Sequence, residues 1–234
     1  LSIENVRKLG EYSKKVCIKF GVSVFRMEDL TLLSDLDNIF DFFKVPSAEC
    51  LNTVLIYELV SKGRPVFVST GGVQTRVAVA SLKEFANTII PFHCIANYPS
   101  KLGGQDLDAF QAFTEAGFKE VGYSSHDEEW EVCLLALANG AQWIERHITL
   151  NKLEKGLDHS SSSSAPEIEK LVKFAESYKG IIGNKYHEPN QGELINLQNL
   201  GTSIYAKNSF SAGTQTNLTD FEIKAPRTGL SVGE

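Results

Sequence analysis

Apolar positions at near-helical spacing open the chain: Ile3, Val6, Leu9, Tyr12 and Val16 recur through LSIENVRKLGEYSKKVCIKF, which stops before Gly21 and predicts a helix with a glycine stop. GVSVFRM (21–27) then predicts a strand. The same alternation continues with strand FFKVPS (42–47), helix CLNTVLIYELVSKG (50–63), strand PVFVSTGG (65–72) and helix RVAVASLKEFANT (76–88). Strand IIPFHCIANYP (89–99), helix LDAFQAFTEAG (107–117), strand KEVGYSSH (119–126), helix EEWEVCLLALANG (128–140) and strand QWIERHITL (142–150) complete it. Short strands alternating with helices that close at Gly or Asn predict parallel βα units. Six strands by count fit an open sheet, and a closed barrel needs two more.

Beyond Leu150 the pattern changes. APEIEKLVKFAESYKGIIGNK predicts a helix with Pro166 in its first turn, YHEPNQGELINLQNLG has little periodicity and reads as a linker, and the turn-rich tail carries short β-prone runs. The expected organisation is a large α/β domain over 1–184, a linker over 185–200 and a small β module over 201–234.

Composition narrows this picture only a little. A net charge of −6 and a pI near 5.5 give no electrostatic reason to bind nucleic acid or an anionic membrane. No apolar run reaches the roughly 18–20 residues of a spanning helix, the amino end lacks the shape of a secretory signal, and a cytoplasmic setting is expected. Cys17, Cys50, Cys94 and Cys133 are scattered among apolar neighbours without a CxxC pair, predicting reduced, buried thiols. The first residue is Leu1 and the last run is GLSVGE, so a segment of a longer protein is expected.

Candidate chemistry gathers at strand ends, where parallel sheets place their active sites. His126 ends one strand and His147 lies near the end of the next, so their imidazoles meet at one rim and can hold a divalent metal. GAQWIERHITL begins like a buried strand, yet carries Glu145, Arg146 and His147 in its middle. Alternation puts Trp143, Glu145 and His147 on one face, with Arg146 on the other. Glu145 then needs a cationic partner, for which Lys44, also mid-strand, is the candidate. Lys44, Ser47, Ser69 and Thr70, beside the glycines of STGG, suit a site for phosphate or carboxylate oxygens. Asp158 lies in KGLDHSSSSS, which reads either as a solvated flexible loop or as a mobile rim loop over a polyhydroxylated substrate.

KVPSAECLN, VFVSTGG, HCIANYPS, VGYSSHD, ERHITL and KGLDHSSSSSAPE stand in an order and spacing that resembles the sialic acid (N-acetylneuraminate) synthase family. The tail SIYAKNSFSAGTQTNLTDFEIKAPRTGL is similar to that family's antifreeze-like carboxyl-terminal domain. The resemblance implies a (β/α)8 TIM barrel, here lacking its first two strands, followed by a partial β-clip (antifreeze-like, SAF) module. It implies a transferase that joins phosphoenolpyruvate to N-acetylmannosamine or its 6-phosphate. A divalent metal, manganese or else magnesium, is implied on His126 and His147. By the same resemblance Lys44, Ser47 and Ser69 bind phosphoenolpyruvate, Glu49 lines that site with a part in proton handling, and Tyr98 and Asp158 face the sugar. A domain-swapped homodimer is implied for the complete protein.

Departures from the family pattern are Ala96, where many members have Ser or Asn, and Ala225 in place of an arginine, with Arg227 two residues later. A six-strand portion leaves an open barrel edge, so the chain by itself is expected to be poorly active or inactive. Two other readings stand beside the main one: a related synthase taking a diacetamido hexose, and a non-catalytic relative serving sugar binding or assembly.

Overall fold

In the computed structural model, which describes residues 2–183 and 185–231, the Ser2 hydroxyl accepts a hydrogen bond from Asn5 N at 3.3 Å and starts α1, Ile3–Lys15. The helix stops well before Gly21, at Cys17, whose φ of 57° is left-handed. Strand β1 is short, Gly21–Ser23, because the chain turns into α2, Met27–Leu32, and a 3₁₀ turn, Ser34–Ile39. The expected strand over 21–27 is thus corrected: Asp29 accepts from the amides of Phe25 and Arg26 at 3.1 and 3.0 Å and begins a helix there.

The predicted alternation then follows. Strand β2 is Phe42–Val45, α3 Thr53–Ser61, β3 Val66–Ser69 and α4 Thr75–Leu82; β4 is Ile89–His93 and α5 Ala109–Glu115. Strand β5 is Gly122–Ser125, α6 Val132–Ala138, β6 Trp143–Arg146 and α7 Ala165–Ile182. Gly117 and Gly140, with φ of 99° and 104°, close α5 and α6 in a conformation that side chains with a Cβ resist. All six strands pair in parallel in the order β1-β2-β3-β4-β5-β6.

Helix residues Leu55, Ile56 and Leu59 of α3, Leu82 of α4, Phe113 of α5 and Ala136 of α6 form one core with Val45, Val66, Val68, Val121 and Tyr123 of the sheet region. Full burial of such a side chain contributes about 1.5–3 kcal/mol. Strand β3 is buried at every position, as a strand covered on both faces should be. Strand β6 is not: Trp143 is 40% exposed, which corrects the expectation of a buried strand. Among the described residues it pairs with β5 only, and its inner face looks into an open trough.

The chain divides into two compact units, Leu1–Ile181 and Ile182–Glu234. In the second, the stretch expected as a linker contains α8, Gln191–Leu200, started by a reciprocal cap between Asn190 and Glu193. Strand β7, Ser203–Ala206, pairs antiparallel with β8, Phe221–Lys224, and with β9, Leu230–Ser231. Leu1, Asn184 and residues 232–234, which the expected segments include, lie outside the described residues.

Candidate active site

Lys44 stands on the inner face of β2, nine-tenths buried, and an ammonium there needs partners. Its Nζ donates to Ser69 Oγ and, at 3.3 Å, to the Val45 carbonyl, and lies 3.3 Å from Glu145 Oε2. The ion pair expected between Lys44 and Glu145 is formed, so β2, β3 and β6 meet through one cation. Nearby, Ser47 Oγ accepts from Gly71 N at 3.1 Å and lies 3.2 Å from Cys94 Sγ. A Cβ on Gly71 would sit 2.6 Å from Cys94 Sγ and 3.0 Å from Ser47 Oγ, so only glycine lets the backbone come this close. Thr70 turns away and donates to the Phe92 carbonyl. Glu49 accepts from Asn52 Nδ2 at 2.9 Å and steadies the residue that caps α3.

At the ends of β5 and β6 the imidazoles of His126 and His147 stand 5.5 Å apart, centre to centre. Tyr98 packs 4.2 Å from the His126 ring and 5.9 Å from the His147 ring. Asp158 Oδ2 is 3.8 Å from His147 Nδ1. His126 Nδ1 donates to the Ile95 carbonyl at 2.8 Å, which leaves its Nε2 lone pair free. Burial holds this imidazole below its ordinary range, against the Ile95 bond, and His147 adds to the depression. A neutral ring with a free lone pair is the ligand form of histidine. Metal–nitrogen bonds of about 2.1 Å set two imidazoles on one ion about 4.5–5.5 Å apart, and the observed pair fits. Among the described residues no third His, Cys, Asp or Glu joins them as a preformed cluster. The donor set is therefore two imidazoles with room for substrate or water.

Tyr98 is about half exposed, and burial, followed by Cys94, Asp158 and Glu145, pushes its phenol above the ordinary range. It stays protonated and able to donate. The serine run corrects the reading of a solvated flexible loop. Ser161, Ser162 and Ser163 are buried, and the hydroxyls of the first two donate to the Asp158 carbonyl at 3.1 and 2.6 Å. Ser163 forms a parallel bridge with Ile148, receiving Thr149 N at 2.9 Å and donating its own amide to the His147 carbonyl at 2.8 Å. Cys17 is exposed, unlike the other three cysteines, and all four are free.

The sequence reading passed over Asp127, which is fully buried and accepts from Ser100, Gln105, Tyr123 and Ser125. Burial by itself would raise this carboxyl, yet the donated hydrogen bonds hold it below the usual carboxylate range. The available signal was a charged residue directly after an apolar strand, masked by its histidine neighbour. Strand alternation puts Arg146 on the face away from Glu145 and His147. It donates to Ser163 Oγ and Ser125 Oγ, both at 2.7 Å, and to the Glu128 carbonyl.

Between β1 and β6 lies a trough of about 490 Å³, lined by Lys44, Phe67, Phe92, Trp143 and Glu145 among others. Phe67 is its aromatic centre, 5.3 Å from Phe42, 5.4 Å from Phe92 and 5.1 Å from Trp143. The imidazole pair does not line it.

Residues 1–187 match the NeuB family. The chain is 28% identical over 242 residues to the N,N'-diacetyllegionaminic acid synthase of Legionella pneumophila, covering 100% of this chain and 67% of that one. It is 28% identical to the N-acetylneuraminate-9-phosphate synthase of Mus musculus, covering 95% of this chain and 63% of that one. The crystal structure of N-acetylneuraminic acid (sialic acid) synthetase from Leptospira borgpetersenii, a citrate complex, superimposes with a TM-score of 0.72 at 28% identity. That match covers 84% of this chain and 70% of the other. The chain thus spans about two thirds of the length of the curated relatives it matches.

Proposed function

The chain belongs to the NeuB family, and on that premise we propose that its site condenses phosphoenolpyruvate with an N-acetylated amino sugar. N-acetylmannosamine or its 6-phosphate would give N-acetylneuraminate or its 9-phosphate, with release of inorganic phosphate. The observation that carries the reading is Glu145. It pairs with Lys44 across the trough and sits in β6 two residues before His147, which follows the strand directly, tying an anion site to an imidazole pair.

Lys44 Nζ, the Ser47 and Ser69 hydroxyls and the Gly71 amide offer donors to the phosphate and carboxylate oxygens of phosphoenolpyruvate. Carbon 3 of the enol bonds to the aldehyde carbon of the open-chain sugar, and the aldehyde oxygen takes up a proton. Water adds at carbon 2, the bond from carbon 2 to the bridging oxygen breaks, and that oxygen leaves with phosphorus as inorganic phosphate. Enol phosphate, aldehyde and water thereby balance sugar acid and phosphate. When bound to His126 Nε2 and His147, a divalent cation such as manganese or magnesium supplies Lewis-acid polarisation of the aldehyde. Tyr98, protonated, and Asp158 hold sugar hydroxyls beside the imidazoles, while Glu49 handles a proton at the phosphoenolpyruvate end.

A second acceptor is favoured by one finding: the legionaminic acid synthase relative covers the whole chain at the same identity as the neuraminate relative. A diacetamido hexose is the sugar that such a product implies. Incubating the intact protein with phosphoenolpyruvate, Mn²⁺ and each sugar, and measuring phosphate release and product mass, separates the two. Release with neither sugar, together with unchanged metal stoichiometry in His126→Ala and His147→Ala, would leave the non-catalytic reading.

A further inference from the structure

Beside the imidazole pair, one buried carboxylate connects through one oxygen to the loop that holds the His126 ring and through the other to the His147 backbone. Asp127 Oδ1 accepts from Ser100 Oγ at 2.7 Å and Gln105 Nε2 at 3.0 Å. Ser100 N also donates to the His126 carbonyl at 2.9 Å, and Ser100 and Asp127 form a parallel bridge. The loop after β4 is therefore clamped at Ser100. Five residues earlier, the same loop supplies the Ile95 carbonyl that orients His126 Nδ1, and Tyr98 lies between.

Asp127 Oδ2 accepts from Tyr123 OH at 2.6 Å and Ser125 Oγ at 2.8 Å. Ser125 Oγ in turn accepts from Arg146, Arg146 donates to Ser163 Oγ, and Ser163 N donates to the His147 carbonyl. One oxygen thus fixes the loop that aims His126, and the other anchors the chain of bonds that ends at the His147 backbone. A carboxylate accepting four hydrogen bonds in a fully buried site defines its donors' positions far more tightly than a surface contact does.

We propose that Asp127 is the positioning residue that sets both imidazoles for one cation, an inference that rests on the reading of His126 and His147 as the metal-holding pair. It touches neither substrate nor metal and acts through the Ile95 carbonyl and the Ser125–Arg146–Ser163 chain. Asp127→Asn keeps the shape but replaces one acceptor oxygen by a donor facing donors. Ser100→Ala removes a single donor and leaves the carboxylate paired with the other three.

The test is titration of the intact protein with Mn²⁺ alone, followed by electron paramagnetic resonance, with phosphoenolpyruvate affinity and the thermal midpoint measured alongside. Mn²⁺ affinity is expected to fall about 10–100-fold in Asp127→Asn and several-fold in Ser100→Ala. Phosphoenolpyruvate affinity should stay within about twofold, because Lys44, Ser47 and Ser69 belong to the other half of the sheet. Wild-type Mn²⁺ affinity in Asp127→Asn, or in Ser100→Ala should the first variant fail to fold, with only the thermal midpoint lowered, overturns the positioning role. His126→Ala is the control. If it binds Mn²⁺ as the wild type does, the metal reading itself fails and takes the positioning role with it; if it loses Mn²⁺ and Asp127→Asn does not, only the positioning role fails.

Discussion

Lys44 shows how one residue couples stability to binding. Its ammonium is held by Ser69, the Val45 carbonyl and Glu145, and a buried charge that loses a partner costs more than the pair contributed. The Glu145 side chain is 40% exposed, so water screens part of the loss, and Glu145→Gln is expected to destabilise by about 1–2 kcal/mol in chemical denaturation. On the proposed reading of Lys44 as the phosphoenolpyruvate cation, Lys44→Met should raise the KM for that substrate about 10²-fold while folding is retained. Gly71→Ala places a methyl against Cys94 and Ser47 and displaces the Ser47 hydroxyl from its amide. Loss of phosphoenolpyruvate affinity by about tenfold, seen by calorimetry, is the expected result. His93 makes stability depend on pH. Burial holds its imidazole below 6.5, against the bond it donates to the Gln105 carbonyl. The folded chain then binds fewer protons than the unfolded one below that pH, so stability is complete above about pH 6.5 and falls on acidification. Its share of the slope is at most about 1.4 kcal/mol per pH unit, and His93→Gln should flatten the thermal midpoint between pH 5 and 6.5 by that share.

At the level of elements, capping decides where helices begin, and it is also where sequence reading succeeds or fails. Asn190 accepts from the amides of Gly192 and Glu193 while Glu193 accepts from Asn190 N, so α8 starts within a polar stretch whose apolar spacing is weak. Asn190→Ala is expected to destabilise this helix by about 1 kcal/mol, read as faster amide exchange over 191–194 with the first unit unchanged. The cap was present in the sequence as N-x-x-E, but periodicity outweighed it and the segment read as a linker. The βα alternation was legible because β3 and β4 are apolar over most of their length, and because α3, α5 and α6 are each followed by a glycine with positive φ, Gly63, Gly117 and Gly140. The Lys44–Glu145 pair was legible for a related reason: strand alternation forces both side chains inward, and a buried carboxylate demands a cation. Asp127 and the buried serines were not. Their partners, Ser100, Gln105 and Arg146, are distant in sequence, and no local pattern distinguishes a serine that donates into a buried network from one in a solvated loop.

For the molecule as a whole, the open side of the sheet is the feature that matters most. Among the described residues, β1 and β6 each pair on one side only, and both line the trough whose aromatic centre is Phe67. Edge strands invite pairing with another chain, and these are blunted by being three and four residues long, with the charged Lys19 and Glu145 among the residues that line the trough. The aromatic floor has no such protection. Trp143 packs on Phe67 by one face and leaves two fifths of its surface to solvent. In a Trp130→Phe variant, Trp143 is the single tryptophan of the chain and reports on the trough directly. The 234-residue chain at micromolar concentration should then show red-shifted emission and ready quenching by acrylamide, and should bind an apolar dye such as anilinonaphthalene sulfonate. Blue-shifted emission that resists acrylamide would mean that the trough is covered. Because Lys44 and Glu145 share that trough, a cover would also withdraw water from their ion pair, and the cost of Glu145→Gln would rise toward the 3–5 kcal/mol typical of a fully buried pair.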